Sequence, residues 1–265
     1  MASRSDPHAP VAPAGPNGMA SAVPMVSLAG LVVVWAAGAA ISGDPTVLPG
    51  PVEVWQIAVD EAARGELWHH IGATLARVAA AFALAMGIGG ALGLLLGARP
   101  DLDRWFGPWV TVFLNIPALV VIVLCYLWIG LNETAAITAV AVNKAAMVTV
   151  TVREGVRSLD PALADMARIY RLSPLARFAN VVWPQLWPYT AAATRTGLAI
   201  IWKIVLVVEF LGRSNGVGFQ IHLYFQLFEI GHVLAYALSF VGVMLMIEFA
   251  LVQPLDRRSR RWSAV

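Results

Sequence analysis

The chain has 265 residues, 59% of them hydrophobic and only 13% charged, with a formal net charge of +2. Soluble domains carry roughly 25% charged residues, so this composition excludes an ordinary soluble enzyme, a nucleic-acid binder and a disordered protein. A single cysteine, Cys125, excludes a disulfide framework and a cysteine-rich metal site.

Residues 1–22, rich in Pro, Ala, Ser and Gly, read as a disordered tail. A signal peptide is the weaker reading, because Arg4 is the only cation and the next apolar run exceeds the usual h-region of about 7–15 residues. Six runs then approach the roughly 20 apolar residues that a membrane helix needs. They are Val23–Ile41, Ile71–Leu96, Val110–Ile129, Ala135–Val152, Tyr189–Leu211 and Val233–Val252. Continuous runs of this kind exclude a β-barrel, whose strands alternate, and leave helix as the element that satisfies its own backbone in lipid. The expected fold class is therefore an all-α polytopic membrane protein. About six transmembrane helices fill residues 23–255, ahead of a basic tail at 256–265. In the second run, Gly89, Gly93 and Gly97 form two overlapping G-x-x-x-G units, which suit either a close helix contact or the general glycine enrichment of membrane helices.

Charge placement orients the chain. With the N-terminus in the cytoplasm, twelve cations fall on that side: Arg4, Arg99, Arg104, Arg153, Arg157, Arg168, Arg171, Arg177, Arg257, Arg258, Arg260 and Arg261. The other side receives Arg64 and Arg213. The positive-inside rule thus predicts both termini in the cytoplasm.

The segment 153–184 is the long cytoplasmic connection. Asp160-Pro161 and Ser173-Pro174 each place a capping side chain before a proline at the first helical position, and Pro184 is expected to close the second helix. Leu163, Met166, Ala167 and Tyr170 share one face of the first helix by 3- and 4-residue spacing, with Asp165, Arg168 and Arg171 off that stripe. Such a face suits either a partner's groove or the chain's own spans.

Here the sequence resembles the permease subunits of binding-protein-dependent ABC importers. Their signature is E-A-A, three residues, G, nine residues, I-x-L-P. Asp165, Met166 and Ala167 stand at the E-A-A positions, Arg171 at the glycine, Val181 at the isoleucine, and Trp183-Pro184 at Leu-Pro. Arg171 hinders the positive φ that glycine supplies, which bears on the turn geometry or the strength of docking. Further features are similar to the sulfonate, nitrate and taurine branch: Leu48-Pro49-Gly50-Pro51, Thr74-Leu75-Ala76-Arg77, Glu154-Gly155-Val156-Arg157, Glu209 and Gly216-Val217-Gly218 among them.

The resemblance implies an inner-membrane importer built from a permease homodimer (or a pair with a similar permease), two cytoplasmic ATPases and an external substrate-binding protein. The coupling residues would be Asp160, Leu163, Asp165, Met166, Ala167, Tyr170, Arg171 and Pro184. ATP and Mg would be used by the partner, with no cofactor on this chain. The residues agree on one point independently. The chain has two lysines, Lys144 after Asn143 and Lys203 after Trp202, so it has no Gly-Lys for a phosphate-binding loop.

Other motifs carry less. Gly212-Arg213-Ser214-Asn215-Gly216 matches G-x-S-x-G, but it follows a membrane run with no strand before it, so a turn is the simpler reading. His69-His70, His222 and His232 lack metal-ligand spacing and read as side chains at the membrane boundary. Arg195 and Glu248 sit near span ends, where snorkelling or pairing serves. Lys144 and Lys203 are central in their runs, without a carboxylate three or four residues away. They either face a water-filled route that favours a small anion, with Asn143 nearby, or pair within the bundle. Glu209 is, by the resemblance, a route or gate position.

Overall fold

The computed structural model describes residues 18–252, with side chains from 26 to 250. The rest of the expected N-terminal tail and the basic segment 256–265 lie outside the described residues. The described chain is helical, with no strand. Helix α1 (Gly18–Ser42) begins ahead of the expected Val23. An amphipathic α2 (Pro51–Arg64) follows, starting at a proline after Gly50. Gly65, at φ 86°, turns the chain directly into α3 (Glu66–Ala98). Then come α4 (Pro100–Asn115), α5 (Ala118–Ile129) and α6 (Glu133–Arg157), the last capped by Asn132, whose side chain accepts from the Ala135 N–H. The 153–184 segment holds α7 (Pro161–Ile169) and α8 (Pro174–Arg177), after which a π-helical turn, Phe178–Val182, leads into α9 (Trp183–Gly212). A short α10 (Val217–Gln226) and α11 (Ile230–Ile247) complete the bundle.

Helices α3, α6 and α11, and the α8–α9 run, are long and apolar enough to cross a membrane. The third expected span is corrected. The run Val110–Ile129 is two helices, α4 and α5, which meet at 97°. Pro117 has no N–H to give, its ring excludes a continuing turn, and the preceding Ile116 is extended at ψ 126°. Hydropathy reports that both arms are apolar and says nothing of their direction.

A second correction concerns Pro184. It closes no helix: it lies at the start of α9, directly after the π turn, so the α8 strand of chain runs on into the span. The wide turn, in which the Trp183 N–H reaches back to the Phe178 carbonyl, absorbs the bond that proline cannot make.

The core lies where α3, α5, α6 and α9 meet, around Val78, Ala81, Ala85, Ile122, Val140, Ile201, Val205 and Val208. The most extensive helix pairing is α3 with α6, and the glycine spacing lets the two approach closely. A Cβ on Gly89, Gly93 or Gly97 would sit 2.6, 2.7 or 2.5 Å from the nearest atom of α6. The G-x-x-x-G units thus form a contact inside the chain.

Candidate functional site

Two polar constructions stand at opposite ends of α6 and α9. The first is the 153–184 segment. Asp160 caps α7 through the Ala162 N–H at 2.8 Å, and Ser173 caps α8 through the Ala176 N–H at 3.3 Å, as their sequence positions predict. The turn between them is a complete Schellman motif: the Leu172 N–H donates to Ala167 O at 3.0 Å and the Arg171 N–H to Arg168 O at 3.1 Å. Arg171 takes the left-handed conformation at φ 50°, so the turn keeps the geometry that glycine would ease.

The segment is tied to the spans at its roots. The Asp160 N–H donates to Gln185 Oε1 at 2.9 Å, Ser158 Oγ lies 2.7 Å from Tyr189 Oη, and the Tyr189 ring packs where a Cβ on Gly155 would stand. Asp103 of α4 accepts from Arg153 at 3.0 Å and also from Arg157. Of the apolar face of α7, only Ala167 is buried. Leu163, Met166 and Tyr170 are exposed, with Ile169 beside them and Leu175 on α8. Asp165 is exposed as well and touches Arg168 at 3.7 Å. The stripe is therefore covered unevenly: Ala167 is buried, Leu163 and Met166 are each 38% exposed, and Tyr170 is left open at 74%.

The second construction is a buried hub that the sequence showed only in separate pieces. Arg77 on α3, 4% exposed, uses all five of its N–H donors. Nε and Nη2 grip the Glu133 carboxylate at 2.8 and 2.6 Å. Nη1 donates to Glu209 Oε1 at 2.6 Å and to Asn215 O at 2.9 Å, and Nη2 reaches the Asn215 side-chain oxygen. Glu209 on α9 has no exposed surface; its Oε2 accepts from Thr74 Oγ1 and from the Gly218 N–H, both at 2.9 Å. Arg213 adds a bond from Nη2 to Glu133 at 2.7 Å.

The hub also caps α10. The N–H groups of Gly216, Val217 and Gly218 go to His70 Nδ1, Thr74 Oγ1 and Glu209 Oε2, which places a carboxylate at the positive end of that helix. The two glycines are required by space. A Cβ on Gly216 would lie 2.4 Å from the Glu209 carboxyl carbon, and one on Gly218 2.2 Å from Leu206 O. With Nδ1 accepting, a neutral His70 carries its proton on Nε2, and the Gln220 side-chain amide 2.6 Å away must turn its otherwise unpartnered oxygen to the ring to accept it. The G-x-S-x-G match is thus a connecting loop that delivers Asn215 and Gly216. His70 is a buried capping acceptor and not a boundary side chain.

The remaining sequence-predicted residues lie apart. Lys144, 7% exposed, is inside the bundle, and no hydrogen bond or ion pair to it exists among the described residues; Asn143 is half-buried. Lys203 is exposed, its Nζ 5.5 Å from the Trp202 ring centre. Arg195 and Glu248 approach at 3.9 Å. Glu209 is joined to Arg77 in the hub and does not meet either lysine. A cue to the hub was present in the sequence: Arg77 and Glu209 are opposite charges near the same face of the membrane in antiparallel runs.

Residues 85–261 match the family model described as binding-protein-dependent transport system inner membrane component. A probable ABC transporter permease protein of Brucella melitensis is 31% identical over 219 residues, which is 82% of this chain and 87% of that protein. A putative aliphatic sulfonates transport permease protein of Bacillus subtilis is 28% identical over 82% of this chain and 78% of its own length. A taurine transport system permease protein of Escherichia coli and a nitrate import permease protein of Synechocystis are each 26% identical, over 89% and 83% of this chain and 88% and 82% of their own. An inward-facing structure of the MetNI methionine ABC transporter superposes with a TM-score of 0.64 over 76% of this chain and 98% of that one. At 20% identity, that likeness speaks for the fold alone.

Proposed function

The chain belongs to the family of binding-protein-dependent inner membrane transport components, and from that premise we propose that it imports a small oxyanion by alternating access, driven by separate ATPases. The uncovered α7, in the register of the E-A-A signature, carries this reading. A short capped helix that leaves Ile169 and Tyr170 in water, with Leu163 and Met166 partly open beside them, on roots fastened to α6 and α9, is suited to a partner's groove. Twelve cations on its side of the membrane put that partner in the cytoplasm. The partner supplies ATP and Mg chemistry, for which this chain has no phosphate-binding loop.

A second permease copy is part of the proposal. Ala192, Thr196, Ala199, Lys203 and Val207 form an exposed stripe along α9. Small residues and a lysine at membrane depth suit a second helix and water better than lipid. Lys203 is thereby the lysine placed to meet solute, and Lys144 is enclosed. Relatives named for aliphatic sulfonates, taurine and nitrate share cargo with an oxygen-bearing anionic head and little else. An external binding protein would discriminate among the bodies.

Purification tests the central point. The chain should bring down an ATPase with a phosphate-binding loop, and Asp165→Lys should weaken that complex by about tenfold through like-charge contact. Asp165 is exposed and Arg168 is its one ion-pair partner among the described residues, so the reversal should leave the fold intact. An unchanged complex, or none with the parent chain, would overturn the reading.

A further inference from the structure

One member of the hub reaches the surface. The Glu133 side chain is 48% exposed, whereas those of Arg77 and Glu209 are enclosed. Its carboxylate lies across the Arg77 fork and also accepts from Arg213, at the amino end of the 25-residue α6. The charges around it are unequally secured. Arg77 has a second counter-ion in Glu209, 2.6 Å away. Arg213 has no other ion-pair partner among the described residues, and its buried Nε has no hydrogen-bond partner. If the Glu133 side chain turned out to water, three converging N–H donors and one unsatisfied Nε would remain, with one positive charge uncompensated.

We propose that this two-arginine seat is an oxyanion subsite, occupied by Glu133 as an internal stand-in for the anionic head of the solute. A sulfonate, a nitrate and a carboxylate each present two coplanar oxygens to a guanidinium fork, and the helix amino end favours any of them. Glu133 is suited to leave because half of its side chain already faces solvent. Tethered to α6, it competes at an effective concentration on the order of millimolar or above, so dilute anions stay out. Solute released directly over the seat would meet that competition. The source of the anion rests on the oxyanion cargo proposed above; the seat itself is tested without cargo transport.

The test titrates methanesulfonate into the chain in complex with its ATPase, in nanodiscs, by calorimetry. Glu133→Ala should bind methanesulfonate at least tenfold tighter than the parent, and adding Arg213→Met should remove the gain. Glu133→Gln, which keeps the side-chain volume and one oxygen, should show a smaller gain and serves if the alanine variant does not assemble. Equal affinity in parent and both Glu133 variants, a gain that survives Arg213→Met, or an equal gain for chloride would overturn the seat. Uptake by the parent complex with its binding protein is read separately. Import of neutral solutes alone would overturn the cargo reading, while the tenfold gain would still establish the seat.

Discussion

Arg171 holds a conformation that L-residues occupy at a cost. At φ 50° its Cβ crowds the backbone, an expense of roughly 1 kcal/mol that glycine would not meet. Both Schellman bonds form nonetheless, so the turn between α7 and α8 is set by the capped helices around it and tolerates the arginine. Arg171→Gly should therefore raise the stability of the purified chain by about 1 kcal/mol, measured as an upward shift in thermal midpoint. Arg171 is exposed and directly follows Tyr170, the most C-terminal residue of the open α7 stripe. The same variant should consequently hold the ATPase less tightly, and the two measurements should move in opposite directions. A fall in both would mean that the turn depends on the arginine side chain. The caps at Asp160 and Ser173 and the glycine position at Arg171 were legible in the sequence because each is a local bond within five residues.

At the scale of elements, legibility depends on how far apart the partners lie. The glycines of α3 announced a close approach, but spacing alone could not name α6 as the helix approached. Hydropathy found the apolar run Val110–Ile129 and missed its 97° bend, although Pro117 marks the place. The hub lies scattered along the sequence: Arg77 and Glu209 stand 132 residues apart, and opposite charges near one face of the membrane suggest a pairing without fixing it. The α3–α6 contact gives the sharpest test. A Cβ on Gly93 would meet Val152 Cβ at 2.7 Å and Thr149 O at 2.8 Å, neither of which is the free end of a flexible chain. Gly93→Ala must push the helices apart and should cost about 1–3 kcal/mol. Gly90, three residues earlier on the same helix, has nothing within 4 Å of its Cβ position. Gly90→Ala should leave the thermal midpoint of the nanodisc-embedded protein unchanged or slightly raised. Equal effects from the two would remove the glycine contact as the cause of this packing.

In the whole molecule, α6 and α9 are fastened at both ends. At one end Tyr189 packs on Gly155 and Asp160 bonds Gln185, so the roots of α7 are tied to both helices. At the other, Arg77 and Glu209 join α9 to α3 and bring in the start of α6 through Glu133. A 25-residue helix separates the two ends by about 37 Å. On the proposed coupling, a stroke on α7 would reach the hub along α6, whose contact with α3 leaves no room for a Cβ at Gly89, Gly93 or Gly97. Removing only one charge leaves the other buried and unpaired, so Arg77→Met should cost about 3–5 kcal/mol. The double variant Arg77→Met with Glu209→Leu leaves neither charge behind and should recover most of that loss. Its α7 is untouched, so it should bind the ATPase as the parent does. With the far end of α9 released from α3, it should move less solute per ATP hydrolysed. Uptake and phosphate release measured together on proteoliposomes of the monodisperse double variant decide the matter. A fallen ratio makes the hub the anchor against which the stroke works, and an unchanged ratio makes it a device of stability alone.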